Sequence, residues 1–319
     1  MDNFSTEEWA ARLWQRRERW TIFLFAWASL GAVVAGSLAI GAAQRNSPFW
    51  LRDLIAWVVG ALLAWAIVSL GFSRPLKRLL LGLALAGLAA SLLNHGVMEV
   101  HRWLDFGPLH LNIAVLLLPA LLVVLAADGS GPKFTAAVAA GVVVVLWAQP
   151  DASQASAFAA AFAVLCGVRR FKPVTQRLIL LAVLACAGLS WMRANPLPPV
   201  PEVEGAVGLA WHYSPIIASV AIACLVIAAV APLLLVLGNR NIRTAGIALT
   251  TYFVITAIAP FVGYYPVPLI GVGMSPIVGF WIGFGCLVAL QRKGAAIRVP
   301  QPAEAPNTMP TDRRDFAII

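Results

Sequence analysis

At 319 residues, 61% of them hydrophobic and only 12% charged, with a mean hydropathy of +0.84, the chain has too little polar surface for a soluble globule. Its net charge of +9 does not read as a nucleic-acid footprint, because the cations cluster between apolar segments in the manner of a membrane protein facing an anionic leaflet. Alternating barrel patterning is absent, and backbone groups in lipid must be satisfied within each segment, so the expected fold is all-α, a polytopic helical bundle.

Residues 1–19 form a polar leader in which Ser5 and Glu8 suit a capping box, while Trp9, Leu13 and Trp20 recur at helical spacing among arginines. A short amphipathic helix on the inner leaflet is expected there. Apolar stretches follow at about 20–43, 51–71, 77–97, 109–127, 133–148, 155–168, 176–194, 213–238, 242–263 and 272–291. Each approaches the roughly 20 residues that a helix needs to cross a ~30 Å hydrocarbon core. The transmembrane bundle therefore occupies residues 20–291, with about ten spans, and residues 292–319, rich in Pro and Ala without periodicity, read as a disordered tail. Cutting the chain at these segments leaves 19 of its 23 Lys and Arg residues on one side, with Arg45, Arg52, Arg102 and Arg193 opposite. The positive-inside rule then sets both termini in the cytoplasm. All four cysteines lie within apolar spans without a CxxC pair, so they read as packing residues.

Four stretches carry the unusual residues of the outer side. In 95–112, Arg102 and Trp103 begin a turn closed by Gly107-Pro108, which suits an interfacial anchor. Gln149-Pro150-Asp151 breaks the chain, with Asp151 able to cap the next helix. Residues 195–212 hold a proline-rich extended segment in which Glu202 and Glu204 would share a side. Residues 263–276 are apolar, uncharged and rich in Pro and Gly, which suits non-helical backbone at membrane depth lining a cavity. His95, His101, His110 and His212 face the same side, but their spacing gives no shared helix face and they read as interface histidines.

Arg102-Trp103-Leu104-Asp105-Phe106-Gly107, Gln149-Pro150-Asp151 and the 262–273 segment resemble, in order and topology, motifs of the SEDS family of shape, elongation, division and sporulation proteins. That resemblance implies a multi-pass inner-membrane protein of peptidoglycan biogenesis, acting in cell division or cell shape. Its ligand would be a polyprenyl-linked glycan precursor, and its partners the membrane lipids and a single-span transpeptidase-type or divisome protein. It implies no cofactor, leaves a divalent cation open, and involves no nucleic acid. The chain departs from the family at informative places. The Glu and Lys that members carry at the top of the fourth span are missing, and the position of the family's loop aspartate aligns with Ala206. Under this resemblance the acid candidates are Glu204, then Glu202, then Asp151, and the substrate-binding candidates are Arg102, Trp103, His101, Gln149, Pro266, Pro268, Gly271, Gly273 and Ser275. Three functions stay open: a glycosyltransferase that activates a sugar hydroxyl with a carboxylate, a non-catalytic scaffold for a division or elongation partner, and a flippase of lipid-linked sugars. The scarcity of charge within the spans counts against the flippase.

Overall fold

The computed structural model describes residues 6–43, 49–127, 131–168, 173–193, 195–236 and 239–296. Ser5 of the expected cap, the expected inner-loop cations Arg169, Arg170 and Lys172, and the tail from residue 297 lie outside these, as does the side chain of Glu8. The described residues form a helical bundle with one small hairpin. In chain order the elements are α1 (Thr6–Ala43), α2 (Phe49–Leu70), α3 (Arg74–Leu93), β1 (Trp103–Phe106), β2 (Leu109–Asn112), α4 (Ile113–Ala127), α5 (Pro132–Ala148) and α6 (Ala152–Val168). They continue with α7 (Pro173–Ser190), α8 (Ala206–Tyr213), α9 (Pro215–Val230), α10 (Arg240–Ile258) and α11 (Met274–Ala296).

Each apolar stretch of the sequence became a helix. Six are long and apolar enough to cross a membrane: α1, α2, α3, α9 with its following 3-10 turn, α10 and α11. Helices α4 to α7 are shorter apolar helices. The chain is thus a multi-pass helical membrane protein. Its boundaries follow local chemistry. Ser73, Ser214 and Asn239 accept hydrogen bonds from the backbone of Leu76, Ile217 and Ile242, capping α3, α9 and α10. Pro75 and Pro215 sit in the first turns, where a missing N–H costs nothing.

The leader is not a separate element. Without Pro or Gly between residues 6 and 30, the helix of the first span extends backward unbroken to Thr6. Its basic end is tied to the bundle: Arg17 Nε donates to the Leu234 carbonyl at 2.6 Å, and Arg292 pairs with Glu18 at 2.8 Å. Lys293 donates to the Phe72 carbonyl at 3.1 Å. The start of α1, the α2–α3 turn, the end of the 3-10 turn at 231–235 and the end of α11 therefore meet at one end of the bundle. These are regions whose cations the sequence assigned to the cytoplasm.

Helix α11 is the central post, packed chiefly against α2 and α4. Stacked rings lock it to its neighbours, Phe284 on Phe25 of α1 at 4.0 Å and Phe280 on Phe253 of α10 at 3.8 Å. Gly279 lets the α11 backbone lie against the Val115 carbonyl of α4, where a side chain would collide. Lipid tails are as apolar as leucine, so such close backbone approach supplies contact energy that hydrophobic burial cannot. Trp20, Phe23 and Trp27 of α1 are exposed on the outer surface of the bundle, where lipid would cover them.

The orientation is testable with single cysteines in a cysteine-free background. A cysteine at Val200, exposed at the end opposite the cationic cluster, should react with an impermeant maleimide added to intact cells. One at Arg74 should react only after lysis. The opposite labelling pattern would invert the assigned topology.

Candidate functional site

At the end away from the cationic cluster, four non-helical stretches converge. The first begins where Asn94 ends α3. Its side-chain amide donates to the Trp103 carbonyl at 3.0 Å and to Asp105 Oδ2 at 2.8 Å, folding the following chain back over the helix end. Gly107, with φ of 62°, closes the β1–β2 hairpin in which Asp105 pairs with His110 and Trp103 with Asn112. Asn112 then caps α4 by accepting from Val115 N at 3.2 Å, and its own N–H donates to Ser275 Oγ at 3.0 Å. The hairpin is thereby fixed to the start of α11. The expectation of a simple turn at Arg102-Trp103 is corrected: eight residues pair as strands on either side of a two-residue Gly-Pro turn, with Gly107 taking the positive φ that the reversal needs.

The second stretch is the α5–α6 turn. Asp151 Oδ1 accepts from Gln154 N at 3.2 Å, the helix cap expected from sequence. Arg102 reaches into this turn and is only 4% exposed. Its Nη2 donates to the Pro150 carbonyl and its Nε to the Gln149 carbonyl at 3.4 Å. Nε also lies 3.9 Å from Asp151 Oδ2, and the guanidinium covers the Tyr265 ring at 5.4 Å. Arg102 is therefore no interfacial anchor in the headgroup region. Its charge is buried against the exposed carbonyls at the end of α5 and a buried carboxylate, the partners a buried guanidinium requires.

The third and fourth stretches hold one another. Residues 200–204 form a tight turn in which Glu204 N donates to the Val200 carbonyl at 2.9 Å, and Val200 N donates to Glu204 Oε2 at 2.6 Å. This corrects the expected extended segment with Glu202 and Glu204 on one side: prolines end at Pro201, and the turn is closed by the Glu204 carboxylate itself. Burial is the main reason that Glu204 holds a proton more tightly than an ordinary glutamate, against the opposing pull of the Val200 N–H and Arg102. Segment 262–273 is non-helical and enters the bundle, with Val267, Leu269 and Ile270 buried. Val267 N donates to the Val203 carbonyl at 3.0 Å, Val272 N to the Glu202 carbonyl at 2.9 Å, and Gly273 N to Asp53 Oδ1 at 3.2 Å. Several of its N–H groups thus find acceptors outside the segment, as irregular chain within an apolar bundle requires.

Between these stretches lies a cavity of about 640 Å³, its walls mostly apolar with a few polar groups. Of the candidates read from sequence, Arg102, Trp103, Asp151, Glu204, Pro266, Pro268, Gly273 and Ser275 line it. The remaining four do not. His101 Nδ1 lies 2.8 Å from the Asn94 carbonyl, and the buried Gln149 donates to Ser91 Oγ at 2.6 Å, bolting the α5–α6 turn to α3. Gly271 is pressed against the Val203 carbonyl, and Glu202 meets the site through its backbone. The cavity also contains residues that sequence reasoning passed over: Arg52 from α2, Asp105 and His110 from the hairpin, and Gln154 from α6. A second cavity, of about 360 Å³, adjoins through Glu204 and is walled by Trp211, His212, Pro260 and Phe261. Ala206 is fully buried at the start of α8 and presents nothing to either cavity. Among the described residues no three His, Cys, Asp or Glu side chains are placed to share a metal.

Solved structures share this fold, among them these three. Rod shape determining protein RodA from Thermus thermophilus superposes with a TM-score of 0.62 at 19% identity, over 85% of this chain and 96% of its own. An aspartate-to-alanine mutant of the same protein gives 0.64 at 18% identity, covering 85% and 97%. A chain from a peptidoglycan synthase complex that coordinates polymerization and crosslinking gives 0.63 at 19%, covering 86% and 97%. The fold is that of RodA. No protein-family model and no curated protein matches the sequence. The fold expected from the three motifs is the fold found, and it extends over nearly the full length of each of these chains.

Removing Arg102 tests how the site is held. Arg102→Ala leaves Asp151 and two carbonyls buried without their cation, so unfolding in detergent should be easier by about 3–5 kcal/mol. Trp103→Ala, on the partly buried hairpin, should cost far less. Equal melting temperatures for Arg102→Ala and wild type would show that the buried pair does not hold the four stretches together.

Proposed function

We propose that this chain is a SEDS-type protein of the bacterial inner membrane, acting in peptidoglycan biogenesis and binding a polyprenyl-linked glycan precursor at its outer end. The observation that carries this reading is the cavity formed where the motif-bearing stretches meet. A polyprenyl-linked sugar has an apolar tail and a polar diphosphate-sugar head, and it needs an apolar slot edged by a few charged groups. The cavity offers that combination, with Arg52, His110 and Glu204 among the polar groups set in a mostly apolar wall. The likeness to RodA and to a chain of a peptidoglycan synthase complex supports the same assignment. A single-span transpeptidase is the partner this reading expects.

Within this reading, glycosyl transfer assigns Glu204 as the group that accepts the proton of the attacking sugar hydroxyl. Its raised proton affinity suits a general base, and its carboxylate lies in the cavity wall, held there by the Val200 N–H. Glu202 and Asp151 are weaker assignments: Glu202 does not line the cavity, and Asp151 is spent on the α6 cap and Arg102. The second reading is a scaffold that keeps the cavity and has lost turnover. Ala206 favours it, since the residue aligned with the family's loop aspartate is a buried alanine.

The two readings separate on one experiment. Purified protein in lipid nanodiscs, with and without a single-span transpeptidase, is given undecaprenyl-diphosphate disaccharide-pentapeptide. Transfer predicts polymer from the wild type and a fall of about 10²- to 10⁴-fold in Glu204→Gln, with precursor binding little changed. Binding without polymer from the wild type selects the scaffold, and no binding at all rejects the precursor as ligand.

A further inference from the structure

The hairpin carries a second acid–base group that the motifs did not indicate. Asp105 and His110 are direct cross-strand partners, with His110 Nδ1 2.5 Å from Asp105 Oδ1. The other carboxylate oxygen of Asp105 accepts from the Asn94 amide at 2.8 Å. Asp105 is thus held from both sides, by the end of α3 and by the facing strand. Hydrogen bonds from His110 and then Asn94 keep its carboxyl more acidic than an ordinary aspartate, so it remains an anion. A carboxylate can only accept, so the hydrogen of this contact sits on Nδ1 and the imidazole's orientation and tautomer are fixed. Nε2 is then the ring atom left for a ligand. Both residues line the 640 Å³ cavity, whose other charged groups are Arg52, Arg102, Asp151 and Glu204.

These groups are not equally available to a ligand. Arg102 and Asp151 are committed to each other and to the α5–α6 turn. Glu204 is an acid whose surroundings favour proton uptake, whereas the His110 ring is held by a carboxylate that Asn94 fixes in place. A cavity with two titratable groups in such different surroundings can divide the work of proton transfer between them.

We propose that His110, oriented by Asp105, is the proton donor to the leaving diphosphate in this cavity. The proposal rests on the transfer reading above and supplies the half of the reaction that Glu204 does not. The acceptor hydroxyl gives its proton to Glu204 as its oxygen bonds to the anomeric carbon of the donor sugar. The bond from that carbon to the diphosphate oxygen breaks, the electron pair leaves with the diphosphate, and His110 Nε2 delivers its proton to that oxygen. One proton is taken up and one given, and solvent restores both groups. Asp105 acts as a positioning residue, holding the ring and its tautomer.

The test measures polymer formation from undecaprenyl-diphosphate disaccharide-pentapeptide by the full chain in nanodiscs, with precursor binding measured in parallel. His110→Gln should lose about 10²-fold in kcat with little change in precursor binding. Asp105→Asn should also lower kcat while precursor binding stays near wild type, because the ring and its tautomer are no longer held. Asp105→Glu, which restores a carboxylate, should recover most of that loss. A merely structural role for the pair would move binding together with kcat and show no such rescue. If His110→Gln fails to fold, Asp105→Asn and its rescue decide alone. Polymer formation that is within threefold of wild type in His110→Gln or in Asp105→Asn overturns the assignment while transfer stands. A wild type that binds precursor and makes no polymer overturns the transfer reading and the proton donor with it.

Discussion

The buried guanidinium of Arg102 is the interaction on which the outer end of the molecule depends. It stands just before β1, yet its partners come from the α5–α6 turn and from Tyr265 in the segment before α11. Burying such a charge costs several kcal/mol unless it is paired and its hydrogen bonds are met. The Gln149 and Pro150 carbonyls and Asp151 meet that condition for Arg102. Three stretches distant in sequence are thereby forced into one place. The cavity is the space left between them.

A second constraint is the satisfaction of irregular backbone within an apolar bundle. Segment 262–273 gives up helical hydrogen bonds and recovers them from the 202–203 carbonyls and from Asp53 of α2. The prolines at 266 and 268 need no donor partners, which lowers the number of bonds the segment must find. Gly36 of α1 and Gly271 allow chain to press against chain at this depth, Gly36 against the Ile270 carbonyl and Gly271 against the Val203 carbonyl. Loops tied down in this way are what a site needs if a few polar groups are to be held in a mostly apolar wall.

Several parts of the site were legible from residue types alone. Asp151 followed a Pro and preceded an apolar run, and capping is a local property that such a pattern states directly. The Pro and Gly content of 263–276 ruled out a plain span, and the segment lines the cavity as expected. Glu204 was picked out by its loop, although the reason it lies in the wall is a turn that its own carboxylate closes. Gln149 and His101 look equally functional in sequence but serve α3 and the chain reversal after it. Spacing cannot distinguish a side chain aimed into a cavity from one aimed at a neighbouring helix. Asp105 and His110, five residues apart, acquired their relation only when a two-residue turn set the register that makes them partners.

By itself the sequence determined the fold class, the helical segments and which cationic ends gather at one end of the bundle, because hydropathy, capping residues and the distribution of cations act locally along the chain. Which polar groups would meet was decided by the tertiary structure. Arg102 with Asp151, Glu204 with the turn at Val200, Gly273 with Asp53 and the cavity they surround depend on how helices pack across the bundle. Those pairings are selected by the cost of leaving a buried charge or N–H unmet. That cost is a property of the assembled interior, and no single segment carries it.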